Sequence, residues 1–393
     1  IQTVILVFSS IVIAFVAYNH LSPEAINSSV SADWFSLRPV WRLEHLAGTE
    51  HAQYELFGAL VIIWVLKGFL LNAGGPAQMY DFQTFLAAKN PRDASKLGAA
   101  WSVFLIVRWA MTMGITLLAV TGIASVTDPE QVMPIVLKQF LPVGFRGVVI
   151  AGLLAAFMST FSATVNSAAS YIVRDIWQPY FRPNAGEKQL VRAGYISTIS
   201  IVVIGILFGM NANSIAHIWN WLMMALGAGV LIPNMLRWYW WRMNGWGYAA
   251  GTVLGILLSL SVLFFPQAPM YIYFPPIVIL SFVGCVIGSY AGRPVEEAVL
   301  VEFYRTVRPF GFWQSIKNKS GLTAEQLSSR SESGYFTFLN VSLGIVAITG
   351  YYLFPMYLVG HRHAVSMVWL GCALIATVIM KFTWYDNLPE ENI

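Results

Sequence analysis

The chain has 393 residues, of which 57% are hydrophobic and 11% charged, with a formal net charge of +4. A soluble domain is about a quarter charged, so this composition excludes an ordinary soluble fold, a disordered chain, a collagen-like repeat and a disulfide-rich secreted scaffold. One polytopic membrane domain over residues 1–393 fits instead. The positive balance is no sign of nucleic acid, because no run of Lys and Arg is long enough to track a phosphate backbone. Cys285 and Cys372 lie in apolar runs and read as small buried hydrophobes.

A membrane-spanning helix needs roughly 20 mainly apolar residues. Ten stretches qualify: about 1–19, 55–73, 100–122, 147–173, 194–211, 215–237, 247–266, 271–291, 336–358 and 363–382. Ile1-Gln2-Thr3 already lies in apolar sequence, without the charged n-region of a signal peptide. It reads as an N-terminally truncated fragment that begins in the middle of a helix. The longest connection, 292–334, holds most of the charge of the C-terminal half and a patch of serines (Ser328, Ser329, Ser331, Ser333). It reads as a cytoplasmic loop. The connections that follow the second, fourth, sixth and eighth segments carry fifteen Lys and Arg, against five in the others. By the positive-inside rule the first group is cytoplasmic, which places Ile1 and the C-terminus inside.

The second segment stays apolar and helix-compatible from about Glu55 to Ala88, apart from Gly74-Gly75-Pro76. A continuous helix of that length would reach about 50 Å, well beyond a hydrocarbon core of about 30 Å. Two glycines and a proline interrupt the hydrogen-bond ladder. A helix broken at this point would expose backbone to a solute, as in many secondary transporters; the alternative is a long helix kinked at the interface.

No enzyme signature is present, and all 19 acids lie in connections or near segment ends. The fourth segment carries the most chemistry. Ala156, Ser159 and Thr160 stand at i, i+3 and i+4, so they share one helix face. A carbonyl and two hydroxyls are hard neutral oxygens suited to an alkali cation, though three are too few without a second helix. Ser and Thr also serve close helix contacts in membranes, and spacing alone leaves both readings open.

This segment reads Leu141-Pro142-Val143-Gly144-Phe145-Arg146-Gly147, then Ala155-Ala156-Phe157-Met158-Ser159-Thr160-Phe161-Ser162, Asn166-Ser167 and Arg174-Asp175-Ile176. It resembles the sodium:solute symporter family, which includes the sodium/glucose cotransporters and proline permease. Gln83-Thr84-Phe85-Leu86-Ala87-Ala88-Lys89-Asn90 and Trp240-Trp241-Arg242-Met243-Asn244-Gly245-Trp246-Gly247 are similar to two further stretches of that family, in the same order over about 1–265.

The resemblance implies an all-α LeuT-type fold of two inverted repeats, with about ten transmembrane helices in this chain and the family's core helices 1–4 missing. It implies sodium as the coupling ion, held by Ala156, Ser159 and Thr160 together with the family's helix 1. Ser162 and Ala163 occupy positions that some members use for a second sodium; with one hydroxyl between them, one ion per cycle is expected. Solute contacts fall on Gly74 and Gly75, where sugar transporters carry an aromatic pair, so a hexose is disfavoured. Asn220 aligns with a sugar-contacting amide, with an interhelical hydrogen bond as its other reading. Arg108 lies within the third segment, where a charge is costly and points to function; it either pairs with a solute carboxylate or holds a structural contact.

The expected function is sodium-coupled symport of a small organic solute by alternating access, in an integral protein of the bacterial inner membrane. A symporter-like sensory domain of a signalling protein is the alternative. Neither reading implies an enzyme or a nucleic-acid partner, and the oligomeric state is left open.

Overall fold

The computed structural model describes residues 2–49, 52–74, 85, 87–124, 126, 128–210, 215, 229–260, 269–323, 326 and 334–388. The described residues are helical, and the one β-type contact among them is an isolated bridge between Trp240 and Phe312. Seven helices among them are long and apolar enough to cross a membrane, rather than the ten expected. Two of the ten expected segments appear as shorter helices of 17 and 16 residues, Phe57–Ala73 and Gly245–Leu260. Most of 215–237 lies outside the described residues.

The first helix, α1 (Gln2–His20), is a continuous 19-residue apolar helix, about 28 Å long. A whole helix here corrects the expectation that the chain begins in the middle of one. α2 (Pro23–Ser29) follows at once, because Ser22 Oγ accepts from Ala25 N at 3.1 Å and Pro23 sits in the first turn. α3 is Phe57–Ala73, capped by the buried Gly74, whose N–H reaches Leu70 O at 3.3 Å. α4 (Pro91–Val120) starts where Asn90 Oδ1 accepts from Asp93 N at 2.8 Å. α5 (Val132–Phe140) leads into α6 (Val143–Tyr171), and Arg146 of α6 ties back to Lys138 O at 2.7 Å.

α6 does not end at Tyr171. It passes through a π-helical stretch, Ile172–Trp177, into a further turn, Gln178–Phe181. Pro179 accounts for this: it has no N–H to give to the carbonyl four residues back and its ring crowds that carbonyl, and a wider turn relieves both. The remaining helices are α7 (Glu187–Met210), α8 (Gly245–Leu260), α9 (Met270–Ala291), α10 (Glu297–Val307), α11 (Gly334–Val359) and α12 (His363–Thr383).

The chain divides into two compact units. The first comprises Ile1–Trp34, Ala100–Ile215 and Ala347–Leu374. In it α1 lies along α6, with the Phe8 and Phe145 rings 5.8 Å apart. Gly152 of α6 and Gly114 of α4 allow close approach: a Cβ there would come within 2.7 Å of Ile5 Cγ2 and of Ala17 Cβ respectively. His361 takes a left-handed φ of 56°, stacks on Tyr18 at 4.2 Å and donates Nε2–H to Tyr18 O at 3.1 Å.

The second unit comprises Phe35–Ala99, Ala216–Val346 and Ile375–Ile393. Its core joins Ile63 and Leu70 of α3, Leu231 and Leu236 of a helical stretch over 229–239, and Phe274, Ile277 and Cys285 of α9. α8 carries Gly247, Gly251 and Gly255 at every fourth position, all buried against Ser281, Gly284, Cys285, Gly288 and Ser289 of α9. Small residues on both sides bring the two backbones together, as in membrane helix pairs. Asn244, 7% exposed, fixes the start of α8: its Oδ1 accepts from Gly247 N at 2.9 Å, while Nδ2 donates to Ser289 O and Arg293 O at 3.0 and 3.1 Å.

The connection expected to be a loop, 292–334, contains α10, an amphipathic helix that buries Leu300 and Tyr304 against Trp313 and Ile316. Gly311 (φ 108°) lets residues 311–313 lie against 238–241, where Phe312 N donates to Tyr239 O at 2.6 Å and Trp313 Nε1 to Trp238 O at 2.7 Å. The serine patch lies outside the described residues. Cys372 departs from expectation: unlike the buried Cys285, it is exposed on its apolar helix.

Candidate functional site

α6 brings the candidate cation ligands onto the face that also carries Gly152. Steps of four and then three or four residues lead from Gly152 to Ala156 and on to Ser159 and Thr160. α1 covers this face at Gly152, through Ile5 and Leu6. One turn further Ala156 is half-buried, and Ser159 and Thr160 are exposed.

The hydroxyls along these helices behave in two ways. A helical Thr normally returns its hydroxyl to the carbonyl four residues earlier. Thr112, Thr116, Thr121 and Thr164 all do so, at 3.0, 2.9, 2.7 and 2.8 Å. The hydroxyls of Ser159 and Thr160 make no such bond and have no partner among the described residues. They are therefore available to an outside ligand, and no carboxylate stands on the stretch between Gly152 and Ser170. Oxygen donors without formal charge suit a weakly held monovalent cation better than a divalent one. Ser162 is differently engaged, its hydroxyl accepting from Asn166 Nδ2 at 3.5 Å.

Below this point α6 and its π-helical extension lean on α7 around a cleft of about 410 Å³ lined by Asn166, Ser170, Arg174, Tyr195 and Thr198. Arg174 spans the wide turn to Gln178 Oε1 at 3.3 Å. Sequence reasoning did not single out this cleft. The proline at 179 was its visible signal.

Arg108 is exposed on α4 and forms no ion pair among the described residues, and the ring of its neighbour Trp109 lies 5.5 Å from that of Tyr352, tilted by 37°. Gly74 closes α3, while Gly75 and Asn220 lie outside the described residues. Ala156, Ser159, Thr160 and Arg108 belong to the first unit and Gly74 to the second. Among the described residues no group of three or more His, Cys, Asp or Glu could hold a metal ion.

Residues 1–255 match the sodium:solute symporter family. The chain is 25% identical over 257 residues to the osmoregulated proline transporter OpuE of Bacillus subtilis, covering 62% of this chain and 51% of that one. It is 28% identical over 208 residues to the sodium/glucose cotransporter of Vibrio parahaemolyticus, covering 48% and 38%. To the sodium/proline symporter of Haemophilus influenzae it is 29% identical over 217 residues, covering 51% and 42%. The chain thus spans about half the length of the curated relatives it matches.

Proposed function

The chain belongs to the sodium:solute symporter family, and from that premise we propose that it carries out sodium-coupled symport of a small organic solute across a bilayer. The family is one of transporters rather than enzymes. The observation that carries the proposal is the unpartnered pair of hydroxyls at Ser159 and Thr160, about two turns beyond the contact with α1 at Gly152, within the residues that match the family. Sodium would bind the Ala156 carbonyl and these two hydroxyls, with its remaining ligands supplied by another segment. Binding would favour one of two arrangements of a LeuT-type inverted repeat and so raise affinity for solute, a coupling that linkage makes reciprocal.

Arg108 would face a carboxylate on the solute. Proline is the solute named for the Bacillus and Haemophilus relatives, and an unpaired guanidinium on an apolar helix suits the carboxylate of such a zwitterion. Gly74, closing α3, would contribute a backbone carbonyl to solute binding, with Gly75 and Asn220 as further candidates. The excess of Lys and Arg would orient both ends to the cytoplasm, and the bacterial relatives fit a bacterial inner (plasma) membrane.

The test needs no knowledge of the solute. The full-length protein, reconstituted, is titrated with sodium and with potassium while intrinsic tryptophan fluorescence is read. A saturable change specific to sodium and lost in Thr160→Ala supports the site. A response equal for both ions removes sodium coupling, and a sodium response that survives the substitution places the ion elsewhere.

A further inference from the structure

Beside the last turn of α9, the stretch before α8 carries guanidinium groups that have no anion among the described residues. Trp240, paired with Phe312, lies level with the last turn of α9, its ring 6.0 Å from that of Tyr290. Arg242 stands over Tyr290, with Cζ 4.7 Å from the ring centroid, and 5.9 Å from the centroid of Trp241. It makes no ion pair among the described residues, and its Nε is buried without a hydrogen-bond partner. Arg237, over Trp238 at 5.8 Å, leaves Nε and one Nη buried and unpartnered, as is the indole N–H of Trp238. Glu297, at the start of α10, is paired with Lys319.

Tyr290 and two other aromatic rings of this stretch and the segment bridged to it are open. Phe312 is 77% exposed, Trp246 68% and Tyr290 62%. The surface is firmly built, because backbone bonds and Gly311 hold Phe312 against Tyr239. A soluble anion would satisfy the guanidinium and leave the rings in water. A hydrocarbon surface would cover the rings and leave the charge unpaired. A phospholipid with net negative charge does both: its phosphate accepts from arginine in the fork geometry that arginine favours, and its glycerol and upper acyl region lies where aromatic rings collect at a bilayer interface.

We propose that this cap is a binding site for an anionic phospholipid, with the phosphate on Arg242 and the lipid backbone against Tyr290, Trp246 and Phe312. The inference is independent of what the protein transports.

The test takes the full-length protein purified in detergent and reads bound lipid by native mass spectrometry in an equimolar mixture of phosphatidylglycerol and phosphatidylcholine. Wild type is expected to retain phosphatidylglycerol about fivefold over phosphatidylcholine, the order expected for one arginine at an anionic surface. Arg242→Gln is expected to bring that ratio close to one with its circular dichroism and elution unchanged. Equal retention of the two lipids by wild type overturns the assignment, as does an unchanged preference in folded Arg242→Gln. Millimolar inorganic phosphate should not displace the lipid; if it does, the site is one for soluble anions and the lipid assignment is lost. Should Arg242→Gln fail to fold, a salt titration of wild type decides: a preference that fades with salt supports the guanidinium contact, and one that survives molar salt overturns it.

Discussion

Thr160 and Thr164 stand one turn apart on α6 and use their hydroxyls in different ways. Thr164 Oγ1 donates to Thr160 O at 2.8 Å, and the Thr160 hydroxyl bonds to nothing among the described residues. Thr160→Ala should therefore remove the proposed ion ligand without disturbing the helix, while Thr164→Ala removes only a local back-bond. A contact to a charged group is worth about 1.5–3 kcal/mol, so Thr160→Ala should raise the sodium concentration for half-maximal uptake roughly tenfold or more. Thr164→Ala should change it by less than about threefold, within the range of an ordinary hydrogen bond. Sodium titrations of uptake in the two variants decide; equal effects would reject the distinction.

Arg108 offers a separate test, because it is assigned to solute rather than ion. Arg108→Gln should raise the KM for a carboxylate-bearing solute by about tenfold or more, the scale of a lost charge-assisted contact. The variant's sodium-dependent fluorescence should stay as in wild type. If the variant loses its sodium response and its fold together, the arginine is structural.

The seam between α8 and α9 predicts opposite outcomes for two glycine substitutions. A Cβ at Gly251 would run into Cys285 Sγ and come within 2.8 Å of Ser281 O, whereas one at Gly205 of α7 meets nothing within 4 Å. Gly251→Ala should cost about 1–3 kcal/mol, as overpacking does, and lower the melting temperature in detergent. Gly205→Ala should be neutral or stabilising by up to about 1 kcal/mol through helix propensity.

Gly311 combines a φ of 108° with a Cβ position 2.5 Å from Tyr239 O. Gly311→Ala should release residues 311–313 from 238–241, at a cost of about 1–3 kcal/mol. Limited proteolysis should then cut near α10 sooner than in wild type, and equal cleavage rates would show that the pairing does not depend on this glycine.

Outside the membrane-spanning segments, Arg42 Nε donates to Glu55 Oε1 at 2.7 Å, and the carboxylate raises the guanidinium pKa above its ordinary value. A raised folded-state pKa stabilises fully below the unfolded-state value and is lost only as pH climbs through the folded one, which for arginine lies beyond any usable pH. The arginine's contribution is therefore constant over any usable range. Arg42→Gln should lower the melting temperature by the same small amount from about pH 6 to pH 10. A difference that grows or vanishes within that window would point to another titrating group.

The long apolar helices were legible because a run of some twenty apolar residues has few other uses. α10 was not, although Leu300 and Tyr304 already stand one turn apart, because Glu296, Glu297, Glu302 and Arg305 around them lower the local hydropathy to that of a loop. The spacing of Gly247, Gly251 and Gly255 was equally visible, but its meaning depends on the small residues of α9 that face it. At the candidate ion site, the shared face of Ala156, Ser159 and Thr160 follows from helical periodicity alone. That the Thr160 hydroxyl is free while the Thr164 hydroxyl is spent depends on side-chain rotamers, which spacing does not encode.

The contact between α8 and α9 limits how this part of the chain can move. Where side chains interdigitate, one helix can slide past another by switching rotamers. Here Gly251 and Gly255 meet backbone and small side chains of α9 directly, so there is nothing to swing aside, and a one-residue slip would drive Cβ atoms into the main chain. The pair behaves as a single strut. Any opening and closing in the proposed transport cycle would pivot at joints outside 245–260 and 270–291, and a covalent staple placed across the seam would leave that cycle running.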